Sequence, residues 1–158
     1  MILWRIAAET RQYKADDLSG GGAAKNPGRW NESGQAVLYA APTIAIAVLE
    51  TAAHIGDGGL PLNRSLDSLA VPLAAWRKRT ELDPNALAPT WSAIPAGATS
   101  AGIGSDWLKS LRSAILMVPS VIVPEEQAAL INPAHPGAVK VKAKVVRPFE
   151  YNKVFRRS

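Results

Sequence analysis

The stretch "NPGRWNESGQAVLYAAPTIAIAVLE", residues 26–50, contains a Pro-Gly turn, a short apolar run and an apolar helical pattern in close succession. The segment "AVLYA" at 36–40 predicts a short buried strand. Thr43 is suited to be the N-cap of a helix over 44–55. Because that helix is apolar on nearly every side, we expect it to be buried. This strand–turn–helix unit, with a glycine-rich loop before it, decides how the rest of the pattern is interpreted.

Outside this unit, the sequence pattern predicts mainly strands separated by loops, with few helices. Pro119 cannot donate to a ladder, so its strand is expected at a sheet edge or with a bulge at that residue. Together these elements predict an α+β fold in one domain over 1–158. Strands are expected over 2–8, 36–40, 68–73, 114–124 and 138–147, helices over 44–55 and 105–113, and loops over 9–34 and most of 80–104.

Composition excludes several classes of protein. The chain has 158 residues, of which 47% are hydrophobic and 20% charged, which is ordinary for one globular domain. No window is long and apolar enough for a membrane span, and the N-terminus does not resemble a signal peptide. Without cysteine there is no disulfide, thiol nucleophile or thiolate metal site. The composition favours a cytoplasmic protein.

The formal charge of +5 indicates a partner or ligand that is anionic. Lys140, Lys142 and Lys144 alternate with apolar residues, which places them on one face of a strand. Such lysines commonly protect a sheet edge against aggregation, and we favour that interpretation. A basic nucleic-acid-binding module remains an alternative, although no zinc-finger or helix-turn-helix pattern is evident.

Glu50 is the most informative single residue. It is the only ionisable residue within 44–53, among Ile, Ala, Val, Leu and Thr. An ionised carboxylate is costly to bury without a partner, and perturbed carboxylates cluster at functional sites. The alternative is that Glu50 lies on an exposed stripe with His54, four residues later on the same face.

Other candidates suit an anion and a flat ring. Arginine in a glycine-rich segment, as at Arg29, binds phosphate or carboxylate through its planar fork, or else pins a loop. Arg5 lies mid-strand and points either toward a site or into a salt bridge. The rings of Trp30 and Tyr39 could pack against a ligand, although Tyr is also ordinary core. A nucleotide with a pyrophosphate and a cationic leaving group would satisfy this set.

Ser120 interrupts an otherwise apolar strand beside Pro119. A hydroxyl there needs a hydrogen-bond partner, and bulges re-aim side chains near active sites. Taken alone, the residue is better explained as a serine bonded to its own backbone at a strand kink. No G-x-S-x-G motif surrounds it, so a serine hydrolase is not indicated.

The order of these motifs resembles the RES domain family, which is named for an arginine, a glutamate and a serine. The matching blocks are "GRWN", the helix ending "AIAVLE", a "WLKS" segment, and "VPS" followed by "INPAHP". The resemblance spans nearly the whole chain. It carries the three family residues over onto Arg29, Glu50 and Ser120 as catalytic candidates, with Arg5, Trp30 and Tyr39 as further NAD+-binding candidates.

The resemblance implies a fold similar to ADP-ribosyltransferases, with a split β-sheet core. It also implies the toxin of a type II toxin–antitoxin pair that cleaves the nicotinamide–ribose bond of NAD+, as a glycohydrolase or a phosphorylase. NAD+ would be the substrate, with no prosthetic group or metal. The partner would be an Xre-type helix-turn-helix antitoxin that covers the active site and provides the only link to DNA. The surface leaves room for a homodimer.

Two other activities stay open. Some family members are reported to modify proteins, so transfer of ADP-ribose to a host protein is the nearest alternative. The same donor site would serve water, phosphate or a side chain as acceptor, and the sequence does not separate them. A non-catalytic nucleic-acid-binding module is the alternative from a different class.

Overall fold

A computed structural model describes residues 1–155 of the chain. Within that range seven strands form two sheets, with four α-helices and several short 3₁₀ turns around them. The strands are β1 (Ile2–Ala8), β2 (Leu38–Ala40), β3 (Arg64–Ala70), β4 (Thr80–Glu81), β5 (Ile115–Pro119), β6 (Gln127–Ile131) and β7 (Lys142–Phe149). The helices are α1 (Gly21–Lys25), α2 (Ile44–Ala52), α3 (Leu73–Arg77) and α4 (Ala98–Ser110).

The first sheet has the order β1-β3-β7 and is antiparallel throughout. The register of β3 against β7 shifts between Leu66 and Asp67. Strand β7 lies at the sheet edge, and Lys142 and Lys144 on it are exposed. The prediction of a lysine-bearing edge strand is therefore confirmed, although the strand begins at Lys142 instead of 138.

The second sheet has the order β2-β6-β5-β4. Strands β5 and β6 form an antiparallel pair, whereas β4 runs parallel to β5. A single β-bridge between Trp4 and Ala41 connects this sheet to the first. The predicted α+β class with a split sheet core is confirmed.

Helix α2 begins as predicted, because the Thr43 side chain accepts a hydrogen bond from the Ile46 amide. It ends at Ala52, earlier than the predicted 55, and it is not buried all round. Ile46 and Ala47 are buried beside Trp4 of β1, whereas Ile44 is exposed. The helix therefore packs one face on the sheet.

Helix α4 is longer than predicted. It begins at Ala98 within the segment expected to be irregular, and it ends at Ser110 instead of 113. Two glycines in its first half reduce intrinsic helix propensity, which misled the prediction. One of them, Gly104, is required because the carbonyl oxygen of Trp30 lies where a Cβ would be.

Other elements also differ from the prediction. Strand β3 covers Arg64–Ala70 instead of 68–73, because a salt bridge with Arg5 of β1 accommodates Asp67 inside the sheet. Strand β5 stops at Pro119 and is not an edge strand, because β4 pairs with it at Leu116 and Met117. Pro119 itself lies beyond the part of β5 that pairs with β4. Its ladder with β6 is regular as far as Pro119. The short helix α1, within the expected loop 9–34, was missed because the glycine triplet favours a loop.

None of the helices within residues 1–155 is long and apolar enough to cross a membrane.

Candidate active site

The "GRWN" loop is held by Asn31, a residue that the sequence analysis did not single out. Its side chain is 2% exposed. Oδ1 accepts hydrogen bonds from the Gly28 amide at 2.9 Å and the Tyr39 hydroxyl at 2.8 Å. Nδ2 donates to the carbonyl oxygens of Ala23, Glu32 and Gln35. Because every polar atom of the amide is used, Asn31 fixes the loop that presents Arg29.

Arg29 is half-buried and is tied to the segment before α4. Its Nη1 donates to the carbonyl oxygens of Trp91 at 2.9 Å and Ala93 at 2.8 Å. Both bonds come from Nη1, and Nε and Nη2 form no hydrogen bond with another residue in 1–155. The loop-pinning role that the sequence left open is thus present, and it also orients the rest of the guanidinium.

Glu50 and Arg29 lie close enough for their charges to interact. Burial lowers the pKa of Arg29, and the negative charge of Glu50 acts in the opposite direction. Neither of these two described side chains forms a direct ion pair with the other. The structure therefore brings together two of the predicted catalytic residues, from the "GRWN" loop and from α2.

One oxygen of the Glu50 carboxylate has no partner in the described part of the chain. Its Oε1 is buried and has no hydrogen bond with any residue in 1–155. His54, expected on the same face, places Nδ1 2.8 Å from the backbone oxygen of Glu50, so it does not pair with the carboxylate. A buried, unpaired carboxylate oxygen is costly and needs an explanation outside the fold's own hydrogen bonding.

Tyr39 lies between the loop and α2. Its hydroxyl accepts from the Trp30 amide at 3.0 Å, and its ring occupies the space beside Gly28, where a Cβ would be 2.6 Å from ring atoms. Burial raises the pKa of Tyr39 well above its usual range. The phenol is therefore neutral, and its hydrogen bonds to Asn31 and to the Trp30 amide fix its position.

Trp30 has a packing role here. It is 3% exposed and stacks on Trp91 with ring centroids 5.9 Å apart and planes at 24°. It belongs to the apolar cluster that includes Trp107 and Val118. Its buried indole supports the loop and does not present a free face to a ligand ring.

Ser120 directly follows β5 and is 1% exposed. Its Oγ accepts from the amides of Ile122 and Val123 at 3.2 and 3.1 Å. The backbone-bonded serine expected from the sequence is observed. Its neighbours Val118 and Val121 pack in the same cluster as Trp30 and Tyr39, which places Ser120 beside the support of the "GRWN" loop. Within residues 1–155 the Ser120 side chain forms no hydrogen bond with Arg29 or Glu50.

Arg5 forms the salt bridge that the sequence left open. Its Nε lies 3.2 Å from Oδ2 of Asp67, and Nη2 donates to the carbonyl of Ala15 at 2.5 Å. Asp67 is fully buried and also accepts from Ser65. Burial raises the pKa of the Asp67 carboxyl, against the effect of Ser65 and Arg5. The sequence analysis did not single out Asp67, which lies one residue before the predicted strand 68–73.

A cavity of about 570 Å³ opens between β1, β2 and the loop that follows β1. Arg5 and Tyr39 line it, whereas Arg29, Glu50 and Ser120 do not. Tyr39 lines this cavity, here called the cationic cleft, and also packs against Gly28 next to Arg29. Its charged or aromatic lining residues are Arg5, Arg11, Tyr13, Lys14, Asp17, Lys25 and Tyr39.

Within residues 1–155 no group of three His, Asp or Glu side chains is arranged to hold a metal ion.

Comparison with known proteins places this geometry in a family. The RES domain model matches residues 2–152. The "Prs ADP-ribosylating toxin" of Sphingobium sp. (strain YBL2) is 52% identical over 149 residues, covering 94% of this chain and 92% of that protein. A "Toxin Res" of Yersinia enterocolitica is 37% identical over 135 residues, covering 85% and 86%. Another, of Pseudomonas putida, is 34% identical over 145 residues, covering 92% and 93%. The chain belongs to the RES domain family.

Proposed function

We propose that the chain is a toxin enzyme that cleaves the nicotinamide–ribose bond of NAD+. The observation that carries the proposal is the buried Oε1 of Glu50, which has no partner among residues 1–155 and lies in the field of Arg29. Such an atom is suited to accept hydrogen bonds from ribose hydroxyls, which would compensate for its burial. The family and the toxin names of the relatives support the same conclusion.

The chemistry needs few groups. The bond from the ribose anomeric carbon to the nicotinamide nitrogen breaks, and its electron pair stays on that nitrogen. Because the ring is already cationic, it leaves as neutral nicotinamide and requires no general acid. The sugar passes through an oxocarbenium-like state, which the Glu50 carboxylate would stabilise by its negative charge. An acceptor oxygen then bonds to the anomeric carbon and loses its proton to solvent.

The other residues would position the substrate. Arg29, oriented by its two carbonyl contacts, has Nε and Nη2 available for an anionic oxygen of the dinucleotide. The Ser120 oxygen accepts from two amides, so its own proton can be donated to a ligand oxygen. The Tyr39 ring would form the wall against which the nicotinamide riboside lies. Trp30 would contribute by holding the loop.

A second acceptor is favoured by one observation. The relative that is 52% identical bears the name "Prs ADP-ribosylating toxin". Transfer of ADP-ribose to a protein uses the same donor chemistry and differs only in the nucleophile. We therefore keep protein modification as the second candidate beside release to water or phosphate.

The test uses purified protein free of antitoxin. It is incubated with NAD+ alone, with added phosphate, and with host protein extract, and nicotinamide release is followed by chromatography. Mass spectrometry then separates ADP-ribose, its phosphate ester and ADP-ribosylated protein. Failure to release nicotinamide under all three conditions, by protein shown to be folded, contradicts the proposal. Salt-dependent nucleic-acid binding by the same inert protein would favour the basic binding module instead.

The proposal also specifies partners. NAD+ is a substrate, not a resident cofactor, and the enzyme would act in the cytoplasm. The antitoxin, an Xre-type helix-turn-helix protein, would cover Glu50 and Arg29 and link the complex to DNA. Co-expression with such a protein should restore growth and block nicotinamide release. Light scattering of the free chain tests the predicted homodimer.

A further inference from the structure

We infer that the cationic cleft holds the adenosine diphosphate half of NAD+, while Glu50 acts on the nicotinamide riboside half. This inference rests on the proposed function and identifies residues that neither the family motifs nor the relatives' names assign. The cleft volume of about 570 Å³ lies within the range of about 300–1,000 Å³ typical of small-molecule sites.

The charge of the lining points to a phosphate-bearing ligand. Four cationic side chains line the cleft, against one carboxylate, Asp17. Arg5 is neutralised by Asp67, and Asp17 is already bonded to the hydroxyl of Ser19 at 2.6 Å. The remaining cations are Arg11, Lys14 and Lys25, none of which forms an ion pair within the described part of the chain. Cations concentrated in a concave surface raise the local concentration of an anion.

The shape of the cleft suits a ligand with a flat ring. Tyr13 lines it, half-buried, with the Lys25 ammonium 5.7 Å from the ring centroid. Gly20 has φ of +71°, and a Cβ there would be 2.6 Å from the Val37 amide nitrogen, so the chain bends tightly at this point. Gly22 presents open space, which keeps this wall free of side chains. An adenine ring next to Tyr13 and phosphates next to the cations would fill the cavity.

Tyr39 connects the cleft to the catalytic pair. It lines the cleft, and it also packs against Gly28 and accepts a hydrogen bond from the Trp30 amide, the two residues on either side of Arg29. A dinucleotide that reaches Glu50 with its nicotinamide end would therefore pass Tyr39 and extend into the cleft. The alternative is that the cleft is an unspecific gap in a loop-rich surface. In that case it would bind anions no more tightly than another cluster of lysines on this protein does.

The chain supplies a matched control for that alternative. The variant Arg11→Gln/Lys14→Gln/Lys25→Gln removes three positive charges from the cleft. The variant Lys140→Gln/Lys142→Gln/Lys144→Gln removes three positive charges from β7 and the turn before it, and none of these lysines lines the cleft. Calorimetric titration with ADP should show that the cleft variant binds about tenfold more weakly or worse. A tenfold change in the dissociation constant corresponds to about 1.4 kcal/mol of binding free energy. The β7 variant should bind ADP nearly as wild type does.

Further arms separate the sources of the phosphate. Inorganic phosphate should compete with ADP only weakly. Glu50→Gln should bind ADP normally, because Glu50 does not line the cleft. Equal affinity for phosphate and ADP, or equal losses in both triple variants, would overturn the inference. Should the triple variant unfold, as judged by circular dichroism, Arg11→Gln alone carries the same test at an exposed position. ADP binding in the cleft without any NAD+ cleavage would keep this inference and overturn the proposed function.

Discussion

The hydroxyl of Tyr39 donates a 2.8 Å hydrogen bond to Oδ1 of Asn31, and the same oxygen of Tyr39 accepts from the Trp30 amide. Tyr39 therefore fixes the loop that carries Arg29. Tyr39→Phe should lower the free energy of unfolding by about 1–3 kcal/mol, because two buried partners lose a bond. Urea unfolding measures this. Tyr13→Phe is the matched control, since the Tyr13 hydroxyl makes no hydrogen bond within residues 1–155, and it should change stability by less than about 0.5 kcal/mol.

Two glycines of α4 should respond in opposite directions to the same substitution. At Gly104 a Cβ would be 1.7 Å from the Trp30 carbonyl oxygen, so Gly104→Ala must displace either the helix or the "GRWN" loop. At Gly102 a Cβ meets nothing within 4 Å. We expect Gly104→Ala to destabilise strongly and Gly102→Ala to stabilise by about 0.5–1 kcal/mol, the usual helix preference for Ala. Thermal unfolding of both variants checks this. Similar changes in both would contradict the close approach.

Sequence reasoning predicted the start of α2 more accurately than it predicted the boundaries of most other elements. Thr43, the start of α2 and the isolated carboxylate at Glu50 could be predicted, because capping and hydrophobic pattern are local properties. The start of α4 could not, because its glycines are explained only by contact with Trp30 from another part of the chain. Local propensity says nothing about such a contact.

The supporting residues of the site were missed for a similar reason. Asn31 in a glycine-rich segment is compatible with any turn, and only the folded chain shows that it joins Gly28 to Tyr39. Asp67 was not singled out, and only the folded chain shows that it pairs with Arg5 across β1 and β3. Partners distant in sequence determine both roles.

Glu50→Gln should reduce nicotinamide release by about 100-fold or more, because the amide cannot stabilise the positive charge that develops on ribose. Stability should change by less than about 1 kcal/mol, since no hydrogen bond of Oε1 within residues 1–155 is lost. Initial rates with NAD+ and urea unfolding measure the two effects. Glu150→Gln, at an exposed position before the C-terminal 3₁₀ turn, is the control and should keep full activity. Undiminished turnover by Glu50→Gln would rule out the role given to Glu50.

Ser120→Ala separates a structural role from a direct one. The amides of Ile122 and Val123 lose their acceptor, so stability should fall by about 1–3 kcal/mol. Ser120→Thr keeps an oxygen for those amides and should recover part of the stability. If Ser120 also donates to the substrate, KM for NAD+ should rise in Ser120→Ala under conditions where the variant is fully folded. An unchanged KM would leave Ser120 with the backbone role alone.

Asp67→Asn should reveal the cost of burying the carboxylate that holds Arg5. Burial raises the pKa of Asp67, so the folded protein holds this proton more tightly than the unfolded chain does. The contribution of Asp67 to stability is then largest at low pH. It falls as pH rises from the ordinary carboxyl pKa of about 3.9 through the raised value, and it is constant above that.

The asparagine does not titrate. The unfolding free energy of wild type minus that of Asp67→Asn should therefore decrease as pH rises above about 3.9. Ser65→Ala removes a hydrogen bond that favours the charged carboxylate, so it should raise the pKa of Asp67 further. More of the stability contributed by Asp67 should then be lost as pH rises. Urea unfolding at a series of pH values measures all three proteins. A difference that grows with pH would mean that the ion pair with Arg5 outweighs the burial of Asp67.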